Sequence, residues 1–551
     1  MERSKKNNRK QTFMQGVIAL MFSQIIIKIL GLVYKLYLTN REGFGDEGNA
    51  IYSSGYHIYA LLLTISSLGV PSAIAKLVSE RLAVGDGKGA HRIFKIAFVT
   101  FATIGLIGTF ILFIGADYIS NVLLEIPDAK YTLIALSPAV FFVSIAAVFR
   151  GYFNGREDMS ASANSQSLEQ LFKTVITIAM VELIAMVSGT NTLFMAAGAN
   201  LATTLATFLS FIYIYRYYKN RKKIIGQEIK SSVNYKAERV KNIIKKILCV
   251  SIPIALTSLM ASINKNIDSM TVVRNLKTFL DETEAIKQYG ILSGKVDTLT
   301  SLPLALNAGF AVALVPAIAS ALAKKEKATA TKKVSFSLLI TMLIALPCTA
   351  GFVVLAEPIL NLLFPNANEG AVVLQITAFT ILFTMIAQTA IAALQGLGKV
   401  FLPTVAFGAG VIVKLILNLT IVGIPSIGIN GAAFSSVMAH LVTCILSWKM
   451  LKKYIKLDLH FSNFFIKPVL ATFMMGICTY FTYLNLNVII SKNLATIIAI
   501  IVAVIIYTLA ILVLRVLSKD DVLMLPCGEK IYKILTKLGI YKTPRNSQFQ
   551  R

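Results

Sequence analysis

Apolar runs of about twenty residues recur along this chain from Phe13 to near residue 516, separated by short polar stretches. They are too long for barrel strands and do not alternate with period two, so each run reads as a helix. Fourteen runs are expected, near 13–38, 50–76, 92–115, 130–151, 163–187, 192–215, 247–273, 288–320, 334–356, 371–394, 401–423, 428–450, 464–487 and 493–516. A helix satisfies its own backbone hydrogen bonds, which is what a bilayer interior requires. The pattern therefore predicts an all-α polytopic membrane protein.

The polar stretches fix an orientation. Arg3, Lys5, Lys6, Arg9 and Lys10 precede the first run, and the even-numbered loops, apart from the tight tenth, "QGLGK", are rich in Lys and Arg. The sixth, "RYYKNRKKIIGQEIKSSVNYKAERVKNIIKK", is the most basic, whereas odd loops such as "SGTNT" and "VGIPSIGIN" carry few cations. Cation-rich loops stay cytoplasmic, so fourteen spans predict both termini inside. No small-residue cleavage site follows a short apolar core, so no removable signal peptide is expected.

Composition sharpens this picture. The chain has 551 residues, 56% of them hydrophobic, and a net charge of +27. That charge lies in the short loops of one face, which speaks for a cell-membrane protein and against a nucleic-acid partner. The five cysteines form no C-x-x-C pair, and the four histidines are scattered. No metal site, disulfide framework or hydrolase motif is expected.

The long sixth loop divides the chain, and the parts on either side resemble each other. "GVPSAIAKL" around Pro71 matches "LVPAIASAL" around Pro316, 245 residues on. "NGREDMSASANSQSLEQLFK", ending at Lys173, matches "QGLGKVFLPTVAFGAGVIVK", ending at Lys414, 241 residues on. Two six-span lobes in a parallel repeat account for both matches. The predicted organisation is an N-terminal lobe over 1–220, a basic linker over 221–246, a C-terminal lobe over 247–450, two added spans over 451–516 and a tail over 517–551.

Charges inside the spans are the candidate chemistry. Span 1 carries Lys28 at mid-depth and Lys35 two turns on, with Arg41 beyond. Span 7 brings Lys265, Asp268 and Arg274, span 8 brings Lys295 and Asp297, and span 11 brings Lys414. Span 5 adds Gln166, Glu169 and Lys173, where Glu169 and Lys173 are spaced to pair with each other. Plainer roles stand beside these: Lys35, Arg41 and Arg274 as interfacial anchors, Lys173 and Lys414 as links between helices, and Asp268 as the partner of Lys265. A mid-bilayer lysine costs on the order of 3 kcal/mol, so an excess of cations there calls for a hydrated cavity. Such a cavity suits an anion, and several ammonium groups together hold a diphosphate. Two lobes around it describe an alternating-access transporter. No ATP-binding motif and no cofactor are expected, which leaves a sodium or proton gradient, the membrane potential or the substrate gradient as the drive.

"SQIIIKILGLVYKLYLTNREGFGDEG", "LGVPSAIAKLVSE", "RGYFNGREDMSASANSQSLEQ" and "LQGLGKVFLPT" resemble the multidrug/oligosaccharidyl-lipid/polysaccharide (MOP) exporter superfamily. The likeness covers essentially the whole chain. It is strongest to the polysaccharide-biosynthesis branch that holds MurJ-type lipid II flippases and stage V sporulation protein B relatives. The resemblance implies two lobes in a V around a cationic cavity, and a groove on spans 13 and 14 for a polyprenyl tail. It implies an undecaprenyl-diphosphate-linked sugar precursor as substrate, moved between leaflets by a monomer that works beside cell-wall synthesis proteins. Lys28, Lys35 and Lys295 fall at or near basic positions of that branch. They are lysine rather than arginine, which loses bidentate recognition of the diphosphate, and Ala161-Ser162 stands where the branch has Pro-Thr. The resemblance leaves open another lipid-linked polysaccharide unit as substrate, or a cation-coupled multidrug exporter of the same superfamily. A membrane-embedded glycan-assembly enzyme would rest on Glu157 and Asp158 in "REDMS", which read as solvated loop charges.

Overall fold

The computed structural model describes residues 26–524 apart from 28, 68, 157, 234–237, 324–325 and 458, together with 532 and 536. Helix α1 covers 29–40. The first half continues through α2 (Gly45–Ser67), α3 (Val70–Ala83), α4 (Gly87–Tyr118), α5 (Ala129–Gly155), α6 (Met159–Ser188) and α7 (Thr192–Lys230). The second half runs through α8 (Val240–Leu276), α9 (Glu282–Gly290), α10 (Asp297–Ala323), α11 (Lys327–Val354), α12 (Ala356–Leu363), α13 (Ala371–Gly396), α14 (Leu402–Ile421) and α15 (Ile429–Tyr454). Helices α16 (Lys467–Ile489), α17 (Lys492–Val513) and α18 (Lys519–Met524) complete the chain. Ten helices are long and apolar enough to cross a membrane among the described residues, and helix occupies the described part of each run expected from the sequence.

Two of those runs differ from expectation for local reasons. The second is split into α2 and α3, because Gly69 adopts φ +86° and Pro71 sits in the first turn of α3. A proline there lacks an N–H that no helical carbonyl would have accepted, so the break restarts a helix cleanly. The sixth does not stop at 215: α7 runs on to Lys230 through the basic stretch read as linker. Ile225 is buried there against the first-half core, and Arg156 pairs with Glu228 at 2.5 Å and Arg221 with Asp158 at 2.9 Å. Apolar contact and charge pairing together hold a segment that looked like loop.

Burial shows how the halves meet. One large core, including Leu38, Phe44, Ile51, Leu133, Leu276, Tyr289, Leu292 and Phe364, draws on both halves at the cation-poor end of the bundle. At the cation-rich end, among the described residues, the two halves have separate cores. One gathers Ile74, Phe94, Phe149 and Ile225 of the first half, the other Ile318, Val334, Leu394 and Leu451 of the second. The halves are thus joined at one end and parted at the other. Helix α8 is shared, with Ile243 and Ile247 in the first-half core and Val272 and Leu276 in the joint core. The α16–α17 hairpin packs along α11, where Tyr507 donates to the Leu343 carbonyl at 2.8 Å.

Candidate functional site between the two halves

The site starts from a polar stripe on α2. Asp46, Asn49, Ser53 and His57 recur at spacings of three and four, which puts them along one helical face. Lys35 of α1 reaches onto this stripe. Its Nζ donates to Asn49 Oδ1 and Ser53 Oγ, both at 3.2 Å, and lies 4.6 Å from the Tyr52 ring centroid. From the second half, α8 brings Ser269, which bonds His57 Nδ1 at 2.9 Å and the Tyr289 hydroxyl at 2.6 Å. A cavity of about 170 Å³ opens among these helices, lined by Lys35, Tyr56, His57, Lys265, Ser293 and Asp297 among others. Lys265 Nζ lies 3.7 Å from Asp297 Oδ2 across it.

The cation-poor end of the cavity is sealed. Gly290 of α9 rests on the backbone of Asp46; a Cβ there would stand 1.8 Å from the Asp46 carbonyl oxygen, so only glycine allows the approach. A π-helical segment, Ile291–Val296, follows at once and carries Lys295. Lys295 Nζ donates to Asp46 Oδ2 at 2.8 Å and to the Ala367 carbonyl at 2.7 Å. The two side chains are 0% and 3% exposed. Further out, Asn40 donates to the Leu363 carbonyl at 2.7 Å, Asn366 to the Asn40 carbonyl at 2.8 Å, and Arg274 pairs with Glu125 at 2.6 Å.

The predicted residues therefore divide. Lys35, Lys265 and Asp297 line the cavity. Lys295 does not face it: it is withdrawn into the seal by Asp46. Arg41 and Arg274 are surface groups of the cation-poor end, Arg41 paired with Glu182 at 2.9 Å, because a long guanidinium finds a carboxylate and water there more cheaply than in the cavity. Asp268 does not neutralise Lys265. It pairs with Lys414 at 2.5 Å and accepts from Asn418 at 3.0 Å, both on α14. Glu169 does not pair with Lys173 but with Arg150 of α5, at 2.6 Å. A guanidinium that also donates to Ser165 and Ser210 makes the better buried partner for it. Gln166 is half-buried on α6, and Lys28 lies outside the described residues.

Charge accounting follows directly. Asp46, Asp268, Asp297 and Glu169 each have a cation beside them. Among the described residues, no carboxylate pairs with Lys35. A buried ammonium held only by neutral acceptors keeps a field for an incoming anion. The α2 residues Asp46, Asn49, Tyr52, Tyr56 and His57 were not expected from the sequence. Their signal was the polar periodicity of a run otherwise taken for plain membrane helix.

Two helix lobes closed at one end, parted at the other and enclosing a charged cavity define a multi-pass integral membrane transporter. Residues 13–318 match the family model described as Polysaccharide biosynthesis protein, and residues 294–420 match the MatE model. The chain belongs to the polysaccharide biosynthesis protein family. Stage V sporulation protein B of Bacillus subtilis (strain 168) is 25% identical over 525 residues, 94% of this chain and 98% of that protein. Lipid II flippase MurJ of the same organism is 23% identical over 454 residues, 80% of this chain and 82% of that protein. A solved lipid II flippase MurJ in an inward closed conformation has the same fold, with a TM-score of 0.65 at 16% identity over 90% of this chain and 98% of that one.

Proposed function

We propose that the protein is a flippase that moves an undecaprenyl-diphosphate-linked sugar precursor, lipid II for peptidoglycan in the first instance, from the inner to the outer leaflet. The observation that carries this reading is Lys35, a cavity cation held by Asn49 and Ser53 with no carboxylate paired to it among the described residues. A diphosphate supplies the missing charge. The lineage of relatives, with stage V sporulation protein B and lipid II flippase MurJ among them, supports the substrate class. On the positive-inside assignment of fourteen spans, the parted end faces the cytoplasm, so the conformation is inward-facing. The apolar outer faces of α16 and α17, with Phe473, Phe481, Ile501 and Val504 exposed, suit a polyprenyl tail. The reading is of a carrier that makes and breaks no covalent bond, driven by a sodium or proton gradient or by the membrane potential.

The test is leaflet translocation of fluorescent lipid II in proteoliposomes. Wild-type protein should accelerate it, and Lys35→Met should abolish the acceleration while the protein still elutes as a folded particle. Translocation at the wild-type rate by Lys35→Met would sink the assignment of the cavity. Depletion in cells assigns the substrate. Accumulated lipid II points to peptidoglycan, and normal lipid II with a missing surface glycan points to another lipid-linked unit.

A further inference from the structure

We infer that Lys173 is a second ammonium of the diphosphate site, held in reserve behind Tyr56, and that it makes the site select a diphosphate over a monophosphate lipid. This rests on the lipid-diphosphate reading above and adds a residue and a specificity to it.

Lys173 is buried on α6 among three tyrosines. Its Nζ lies 4.1 Å from the Tyr56 ring centroid, 5.2 Å from Tyr34 and 6.0 Å from Tyr52. Among the described residues, no carboxylate pairs with it. The internal repeat makes the lack conspicuous. Lys173 and Lys414 occupy matching places in the two halves, and Lys414 has Asp268 from the helix it faces. The helices facing Lys173 offer aromatic rings instead. Cation–π contact steadies an ammonium without cancelling its charge.

Lys35 sits on the same aromatic group, 4.6 Å from the Tyr52 centroid. The separation of the two ammonium groups therefore cannot exceed the sum of their distances to that ring. Two like charges this near each other in a low-dielectric interior repel, and an anion between them relieves both. A monophosphate satisfies one ammonium. A diphosphate carries a second charged phosphate and satisfies both.

Of the three rings around Lys173, that of Tyr56 is the nearest, at 4.1 Å. Tyr34, Tyr52 and Tyr56 line the cavity and Lys173 lies behind them. Tyr52 and Tyr34 are buried, while Tyr56 is only half-buried. Rotation of Tyr56 about its first side-chain torsion uncovers Lys173 to the cavity, so Tyr56 acts as a shutter.

The experiment compares equilibrium binding of undecaprenyl diphosphate and undecaprenyl monophosphate to the full-length protein in nanodiscs. Wild type should prefer the diphosphate by about tenfold or more, the scale of one charge-assisted contact. Lys173→Met should lose that preference and leave monophosphate affinity unchanged, and Lys173→Arg should keep it. Tyr56→Ala removes the shutter and should move diphosphate affinity the other way, upward. A Lys173→Met protein that retains the wild-type ratio, or weakens both lipids equally, overturns the inference and leaves the transport reading standing. Wild-type protein that binds neither lipid overturns both. If Lys173→Met does not fold, Tyr56→Ala decides: unchanged or weakened diphosphate binding refutes the shutter and the buried site behind it.

Discussion

Replacing Asp46 by asparagine should unlock the sealed end of the transporter. Lys295 and Asp46 lie 249 residues apart in sequence and sit on opposite halves. Neither touches water to any useful extent, at 0% and 3% exposure. Removing one member of a buried ion pair costs ~3–5 kcal/mol, because the other is left as an uncompensated buried charge. The Ala367 carbonyl stays on Lys295, which places the loss at the lower end, about 3 kcal/mol. The loss falls on the closed state alone, since opening hydrates Lys295. At 1.4 kcal/mol per decade, the open population should rise on the order of a hundredfold. Ser54→Cys supplies the reporter: Ser54 is fully buried on α2 in the closed structure. Labelling by a membrane-impermeant maleimide applied to the cation-poor face should be about a hundredfold faster in Asp46→Asn. Lys295→Met should act in the same direction. The double variant Asp46→Asn/Lys295→Met leaves no charge behind and should close again. Unchanged labelling in Asp46→Asn would refute the latch, as would a double variant that labels as fast as the single ones.

Two further outcomes follow from other pairs. Asp268→Asn strands Lys414 in the second half and should lower thermal stability by ~3–5 kcal/mol, read as a fall in the melting temperature of the purified protein. Most of that loss should be recovered in Asp268→Asn/Lys414→Met. At the cation-rich end, hydrogen bonds from Lys246 and then Arg81 hold the Glu238 carboxyl below the usual carboxylate range. A lowered folded value means the contact is fully present above the unfolded value and is lost as pH falls through the folded one. Melting temperature measured across acidic pH should therefore fall less steeply in Glu238→Gln than in wild type.

The sequence exposed what is written along one helix and concealed what is written between helices. The apolar runs follow from length and backbone chemistry, and Lys35 stands among the candidates because its place within span 1 is read from the sequence alone. Which carboxylate meets which cation is not. Lys295 meets Asp46, Lys414 meets Asp268 and Arg150 meets Glu169 only because particular faces of separate helices pack together. Spacing within α6 made Glu169 and Lys173 look like partners, and tertiary packing gave Glu169 a better one. The stripe on α2 was legible in principle, since Asn49, Ser53 and His57 keep a helical period. Apart from Asp46 that face is made of amides, hydroxyls and rings, which a membrane helix also carries for plain packing.

Helix α8 gives the chain a seam that does not coincide with its repeat. The repeat boundary falls in the loop before Val240, yet Ile243 and Ile247 complete the core of the preceding half. A chain severed in that loop would yield two fragments, each with a raw apolar face where the other belonged. The packing unit of the first half therefore extends past the repeat boundary expected from the sequence. The first half borrows its last structural member, the start of α8, from the second.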